Sequence, residues 1–115
     1  MKEQRRHERV TLSESIVIHD IINDRKLGEL VNLAMEGLMV ICDEHIETHS
    51  ILQLAFDLPE PIQGLKTLEI GVDCLWCRKA DHFHRHWAGF QIIDVSEETS
   101  RVIAALIEGY AERDE

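Results

Sequence analysis

Apolar and polar positions alternate with a period of about two along most of the first 95 residues, the spacing expected of strands with one face buried. Ser15-Ile16-Val17-Ile18-His19-Asp20 is rich in β-branched residues and predicts a first strand. Asn23-Asp24-Arg25-Lys26 supplies a turn whose first two residues tolerate unusual backbone angles. Leu27 to Leu33 predicts a second strand, with Leu27, Glu29, Val31 and Leu33 on one face and Gly28, Leu30 and Asn32 on the other. A tight connection, Asn32-Leu33-Ala34-Met35-Glu36-Gly37, leads into a third strand over Leu38 to Cys42. In that connection Asn32 can bond the main chain two residues on, and Gly37 can take a positive φ at no steric cost.

Asp43 to Ser50 is polar and predicts a loop with room for one helical turn. Ile51 to Leu58 predicts a fourth strand, stopped by Pro59 and Pro61. Leu65 to Lys79 and His86 to Val95 predict a fifth and a sixth, joined by a hairpin loop over Ala80 to His84.

At Ser96 the period changes. A hydroxyl at the cap position is followed by Glu97 and Glu98, whose charges suit the first turn of a helix. Val102, Ile103, Leu106, Ile107 and Tyr110 then recur at helical spacing as one apolar stripe. The expectation is all-β: a small six-stranded antiparallel β-barrel over residues 11–95, with a C-terminal helix over 96–113 that packs on the sheet or closes one end.

Composition narrows what such a barrel would do. At 115 residues and 44% apolar content, the chain is expected to form one domain with a modest core. No apolar run approaches the ~18 residues of a membrane span. The N-terminus lacks the basic-then-apolar pattern of a secretory leader, and three scattered cysteines do not form a disulfide framework, so a cytoplasmic location is expected.

Charge is unevenly spread. In residues 1–10, Lys2, Arg5, Arg6 and Arg9 outnumber Glu3 and Glu8 by two, which leaves the rest at −12 against a total of −10. So acidic a body repels nucleic-acid polymers and anionic membranes, and neither is an expected partner. A concentrated basic arm can still hold a small anion.

Arg5, Arg6 and Arg9 lie within five residues. Guanidinium groups meet phosphate oxygens two at a time, and their planes stack on aromatic rings, so a phosphate-bearing purine satisfies both habits. Taken alone, the segment also reads as a charged terminus, and Asn32 to Gly37 as a connection between strands. Three other constellations carry less. His82, His84 and His86 would share one face of an extended chain and could bind a transition metal, but they begin in a hairpin tip without a completing ligand. Cys74-Leu75-Trp76-Cys77 has the C-x-x-C spelling, yet a regular strand points residues three apart to opposite faces, so these read as core cysteines. No nucleophile–base pair, glycine-rich phosphate loop or paired acids occur in a recognisable setting, and an enzyme is not expected.

Together, Arg5-x-x-x-Arg9 and Asn32-x-Ala34-x-x-Gly37 resemble the two signatures of the PilZ domain family, R-x-x-x-R and D/N-x-S-x-x-G. Trp76 late in the fifth strand, Gly89-Phe90 in the sixth and the C-terminal helix are similar too, so the resemblance runs from about Gln4 to Tyr110. It implies a split-barrel-type fold that binds the bacterial second messenger cyclic di-GMP, with no other cofactor, and signals to a protein partner in motility or biofilm control. By position, Arg5, Arg6 and Arg9 would bind phosphates and guanine. Asn32, the main chain around Ala34, and Gly37 would hold a guanine edge, and Trp76 would lie near a base or serve in packing. Two positions depart from the family pattern. Ala34 replaces the serine, a loss of one hydroxyl that costs ~0.5–1.5 kcal/mol. Gln4 stands where many relatives carry a basic residue that bears on whether one ligand or a stacked pair is held.

Overall fold

The computed structural model describes residues 10–11, 15–80 and 84–113, with side chains described over 15–80 and 84–109. Arg5, Arg6, Arg9 and His82 therefore lie outside the described residues, as does all but Val10 of the arm expected over residues 1–10. Among the described residues seven strands and one helix follow in order: β1 (Val10–Thr11), β2 (Val17–Asp20), β3 (Arg25–Leu33), β4 (Gly37–Cys42), β5 (Ile51–Ile62), β6 (Leu65–Lys79), β7 (His86–Asp94) and α1 (Glu97–Arg113). Neighbouring strands are all antiparallel, and the pairing runs β2–β3–β4–β7–β6–β5 and back to β2. Six strands thus close into the expected barrel, and the two residues of β1 add to β3 beside Leu33 and Asn32.

Alternation delivers the interior. Ile16 and Ile18, Leu54, Phe56 and Leu58, Leu68, Ile70, Val72 and Cys74, and Leu38, Val40 and Cys42 all point inward and are buried. Ile46 is also buried, which pins the 43–50 loop to the core without a helical turn. The Ser96 hydroxyl accepts from the Thr99 N–H at 3.0 Å and caps α1 as expected. Val102, Ile103, Leu106 and Ile107 are the helix's buried stripe, and α1 lies against β1, β5 and β6. Among the described residues no helix is long and apolar enough to cross a membrane.

Four sequence expectations are corrected. Pro59 and Pro61 do not stop the fourth strand, because β5 continues to Ile62. The ladder with β6 is broken between Asp57 and Ile62, so both prolines fall where no ladder hydrogen bond is asked of them. The hairpin then turns through Gln63 (φ 51°) and Gly64 (φ 85°), the paired left-handed residues of a tight two-residue turn.

The faces of β3 are not the strict alternation expected. Leu27, Leu30 and Leu33 are all buried. Irregularities opposite β2 near Leu27 and opposite β4 at Val31 each shift the register by one residue, and each shift swaps faces. Strand β3 also begins earlier than expected, at Arg25; of the turn residues Asp24 takes the left-handed angle (φ 53°).

Gly37 does not adopt a positive φ; among the described glycines only Gly64 does. Gly37 is needed for space, since a Cβ there would collide with the Phe90 carbonyl oxygen on β7. The fourth correction is to the C-x-x-C stretch. Cys74 pairs with Phe90 while Trp76 pairs with the adjacent Gly89, so a bulge at Leu75 turns Cys77 to the same inner side as Cys74 and sends Trp76 outward.

Candidate ligand-binding site

Strand register assembles the site. Asn32 on β3 stands opposite Met39 on β4, Met39 opposite Gly89 on β7, and Gly89 opposite Trp76 on β6. Directly opposed residues share a face, so these four form one transverse row on the outer wall of the barrel. The Asn32 side-chain amide lies 3.7 Å from the Met39 sulfur. Thr11 on β1 stands opposite Asn32 on the other side, and Val10 opposite Leu33. Val10 and Thr11, which follow the first sequence signature in the chain, are therefore bonded to the strand that opens the Asn32–Gly37 connection.

Ala34 and Gly37 close that connection by a reciprocal pair of main-chain hydrogen bonds. The Ala34 N–H donates to the Gly37 carbonyl at 2.8 Å, and the Gly37 N–H to the Ala34 carbonyl at 3.4 Å. The Glu36 carbonyl accepts from the Ile92 N–H at 2.9 Å, which ties the turn to β7. Ala34 is buried, and Met35 and Glu36 at the tip are exposed.

The other end of the row is aromatic. The Trp76 indole lies directly on Gly89, where a Cβ would overlap the ring, so the glycine forms its seat. The Arg78 guanidinium carbon sits 5.1 Å from the centre of that indole, within cation–π range. Met39, Trp76, Arg78, Lys79, Ala80 and Trp87 line a groove of about 510 Å³. Trp87 belongs to the next row of the same wall, opposite Ile41 and Arg78. The sequence singles out Asn32, Gly37 and Trp76 but not Met39, Arg78, Lys79 or Trp87, which the wall places beside them. Their signal is register across four strands, which no single stretch of sequence carries.

The remaining constellations stay apart from this wall. Burial, followed by the neighbouring thiols, pushes the Cys42 and Cys74 thiols up to about 12 and about 11, so both are protonated and unreactive at neutral pH. His84 takes a positive φ of 55° in the β6–β7 turn, so it does not alternate with His86 along an extended chain. Among the described residues no three His, Cys, Asp or Glu side chains are placed to share a metal ion.

A closed barrel with an apolar, filled interior gathers an asparagine, two indoles and two cations on its outer wall, the arrangement of a domain whose candidate site lies on the wall rather than in the lumen. The chain belongs to the PilZ domain family, whose model matches residues 3–109. The fold is similar to the PilZ domain with c-di-GMP of YcgR from Escherichia coli, with a TM-score of 0.73 and 12% identity over 97% of this chain and 95% of that one. It is also similar to YcgR in complex with c-di-GMP from Escherichia coli (TM-score 0.74, 14% identity, 97% of this chain and 47% of that one). A third likeness is to the Bacillus subtilis inhibitor of motility MotI/DgrA (TM-score 0.70, 13% identity, 98% of this chain and 52% of that one). The chain thus spans about half the length of the two longer proteins. No curated protein sequence matches it.

Proposed function

We propose that this domain is a receptor for cyclic di-GMP that passes its occupancy to a protein partner through its N-terminal arginine segment. The observation that carries this reading is the pairing of β1 with β3, which joins the chain leaving Arg9 to the head of the Asn32–Gly37 connection. Each signature is weak alone; a ligand touching both needs them side by side. Arg5, Arg6 and Arg9 supply charge for the two phosphates and planes for the guanines. Asn32, the main chain at Ala34, and Gly37 meet a guanine edge, and Trp76 lies near a base at the far end of the row. A polar segment of this kind gains its anchorage from the ligand's phosphates, and its ordering is the signal a partner reads. The likeness to an inhibitor of motility supports a role in motility regulation; biofilm control and a cytoplasmic setting belong to the same proposal.

Titration calorimetry with cyclic di-GMP, against GTP and cyclic GMP, tests the proposal. Selective uptake is expected, with a stoichiometry that distinguishes a single ligand from a stacked pair. Arg9→Glu should abolish that uptake and leave the thermal transition in place; undiminished affinity in this variant refutes the assignment. Ala34 favours a second reading, in which the missing serine hydroxyl marks a relative that has lost its nucleotide and works only as a protein-interaction module. Saturable binding of cyclic di-GMP excludes it.

A further inference from the structure

The described cations divide into two groups. Arg25, Lys26, Arg85 and Arg101 each lie within 3.9 Å of a carboxylate oxygen, and the Lys66 ammonium donates to the Leu58 carbonyl. Arg78 and Lys79 have neither a carboxylate nor a hydrogen-bond acceptor among the described residues, and both line the same groove. In a chain of net charge −10, with acids available on every side, two adjacent unneutralised cations are an unusual concentration. They share the groove with both tryptophans of the chain, and the groove adjoins the row that begins at Asn32.

We propose that Arg78, held over the Trp76 indole, is a guanine-reading residue of the cyclic di-GMP site, with Lys79 beside it for a phosphate. This inference rests on the reading of the domain as a cyclic di-GMP receptor. The geometry separates the two uses of a guanidinium. Its positive charge is held over the indole face at 5.1 Å, while its N–H groups, which meet no acceptor among the described residues, remain available to a ligand. Guanine offers two acceptors, O6 and N7, spaced for that fork. Adenine carries an amino donor in place of O6, so the same fork meets donor against donor. Arg78 therefore selects guanine over adenine as well as adding charge. Gly89 and the bulge at Leu75 act as positioning elements: the bulge turns Trp76 outward, and the glycine lets the indole lie close enough to the wall to carry Arg78.

Calorimetry with cyclic di-GMP and cyclic di-AMP on the wild type, Arg78→Ala and Arg78→Lys tests this. Arg78 is exposed, so both variants should keep the wild-type thermal transition. Arg78→Ala is expected to lower cyclic di-GMP affinity by about tenfold to a hundredfold, and to narrow its preference over cyclic di-AMP. Arg78→Lys should recover the salt dependence of binding but not the preference, because an ammonium has no planar fork. Since both tryptophans line the groove, intrinsic indole fluorescence should change as the wild type saturates. If Arg78→Ala binds cyclic di-GMP as the wild type does, or loses both dinucleotides equally, the assignment of Arg78 is overturned while the receptor reading stands. If the wild type takes up no cyclic di-GMP, the receptor reading itself fails and Arg78 falls with it.

Discussion

Arg25 and Arg78 both sit on strands at the outside of one barrel, in opposite surroundings. Arg25 Nε donates to the buried Asp20 carboxylate at 3.2 Å, and its Nη1 to Glu44 at 3.0 Å. Asn23 completes the cluster, donating to Asp20 from its side chain at 2.8 Å and from its main chain at 3.3 Å. Asp20 occupies an inward position on β2, after Ile16 and Ile18, so the whole arrangement serves to satisfy one carboxylate at the barrel mouth. Arg78 satisfies nothing among the described residues and rests on an indole. The contrast separates an arginine that the fold consumes from one that the fold holds out. It also predicts that damage at the first should appear in stability and damage at the second in binding.

The strongest way to break that separation is at the seat of Trp76. Gly89→Ala forces the indole off the wall, and the side chain can swing outward without unfolding the barrel. Arg78 is displaced with the indole that carries it, so cyclic di-GMP affinity should fall about tenfold to a hundredfold with little change in melting temperature. A collapsed fold with unimpaired binding per folded molecule would place Gly89 with Asp20 instead. Next in size is Asp20→Ala, which leaves the Asn23 and Arg25 donors without their acceptor and should cost ~2 kcal/mol in denaturant unfolding. Its cyclic di-GMP affinity should match the wild type.

The same cluster sets an acid limit. Burial alone would raise the Asp20 carboxyl, but hydrogen bonds from the Asn23 side chain and main chain and from Arg25, with the charge of Arg25, outweigh it and hold the carboxyl below its ordinary value. A carboxyl depressed in the folded state contributes stability above the unfolded value of ~3.9. That contribution is lost as pH falls from there through the lower folded value. The wild type should therefore lose its advantage over Asp20→Ala as pH drops below about 4. The smallest effect sharpens the binding half of the comparison. Ala34→Ser restores a hydroxyl worth ~0.5–1.5 kcal/mol, and should tighten cyclic di-GMP binding about threefold to tenfold if the ligand reaches the turn.

The order of the strands, the closed barrel and the capped helix were legible because each rests on a local signal: period-two alternation, turn residues, and Ser96 ahead of two glutamates. What was not legible came from bulges. A bulge adds no distinctive residue, yet it reverses every face after it, which is why the inner faces of β3 and the shared side of Cys74 and Cys77 could not be read from spacing. The prolines of β5 misled for a related reason, since the sequence shows the missing N–H but not the gap in the ladder that tolerates it. At the candidate site, the Asn32–Gly37 connection and Trp76 stood out as residue types in a known order. Met39, Arg78, Lys79 and Trp87 did not, because each is ordinary until four strands are laid side by side. Gly37 was singled out for the wrong property: its torsions are unremarkable, and the Phe90 carbonyl beside it is what excludes a side chain.

Closure of the wall has one more consequence. An open sheet of this length would expose a long row of unpaired amides on each flank, a template for edgewise pairing with another chain. Here β2 and β5 seal the seam, and the main chain of Val10 and Thr11 takes up the stretch of β3 beside Leu33 and Asn32 that β2 is too short to reach. A partner that lends a strand to that stretch of β3 would have to displace β1, the short segment that follows the arginine signature. Recruitment by strand exchange and retention of the arm are thereby mutually exclusive at that seam.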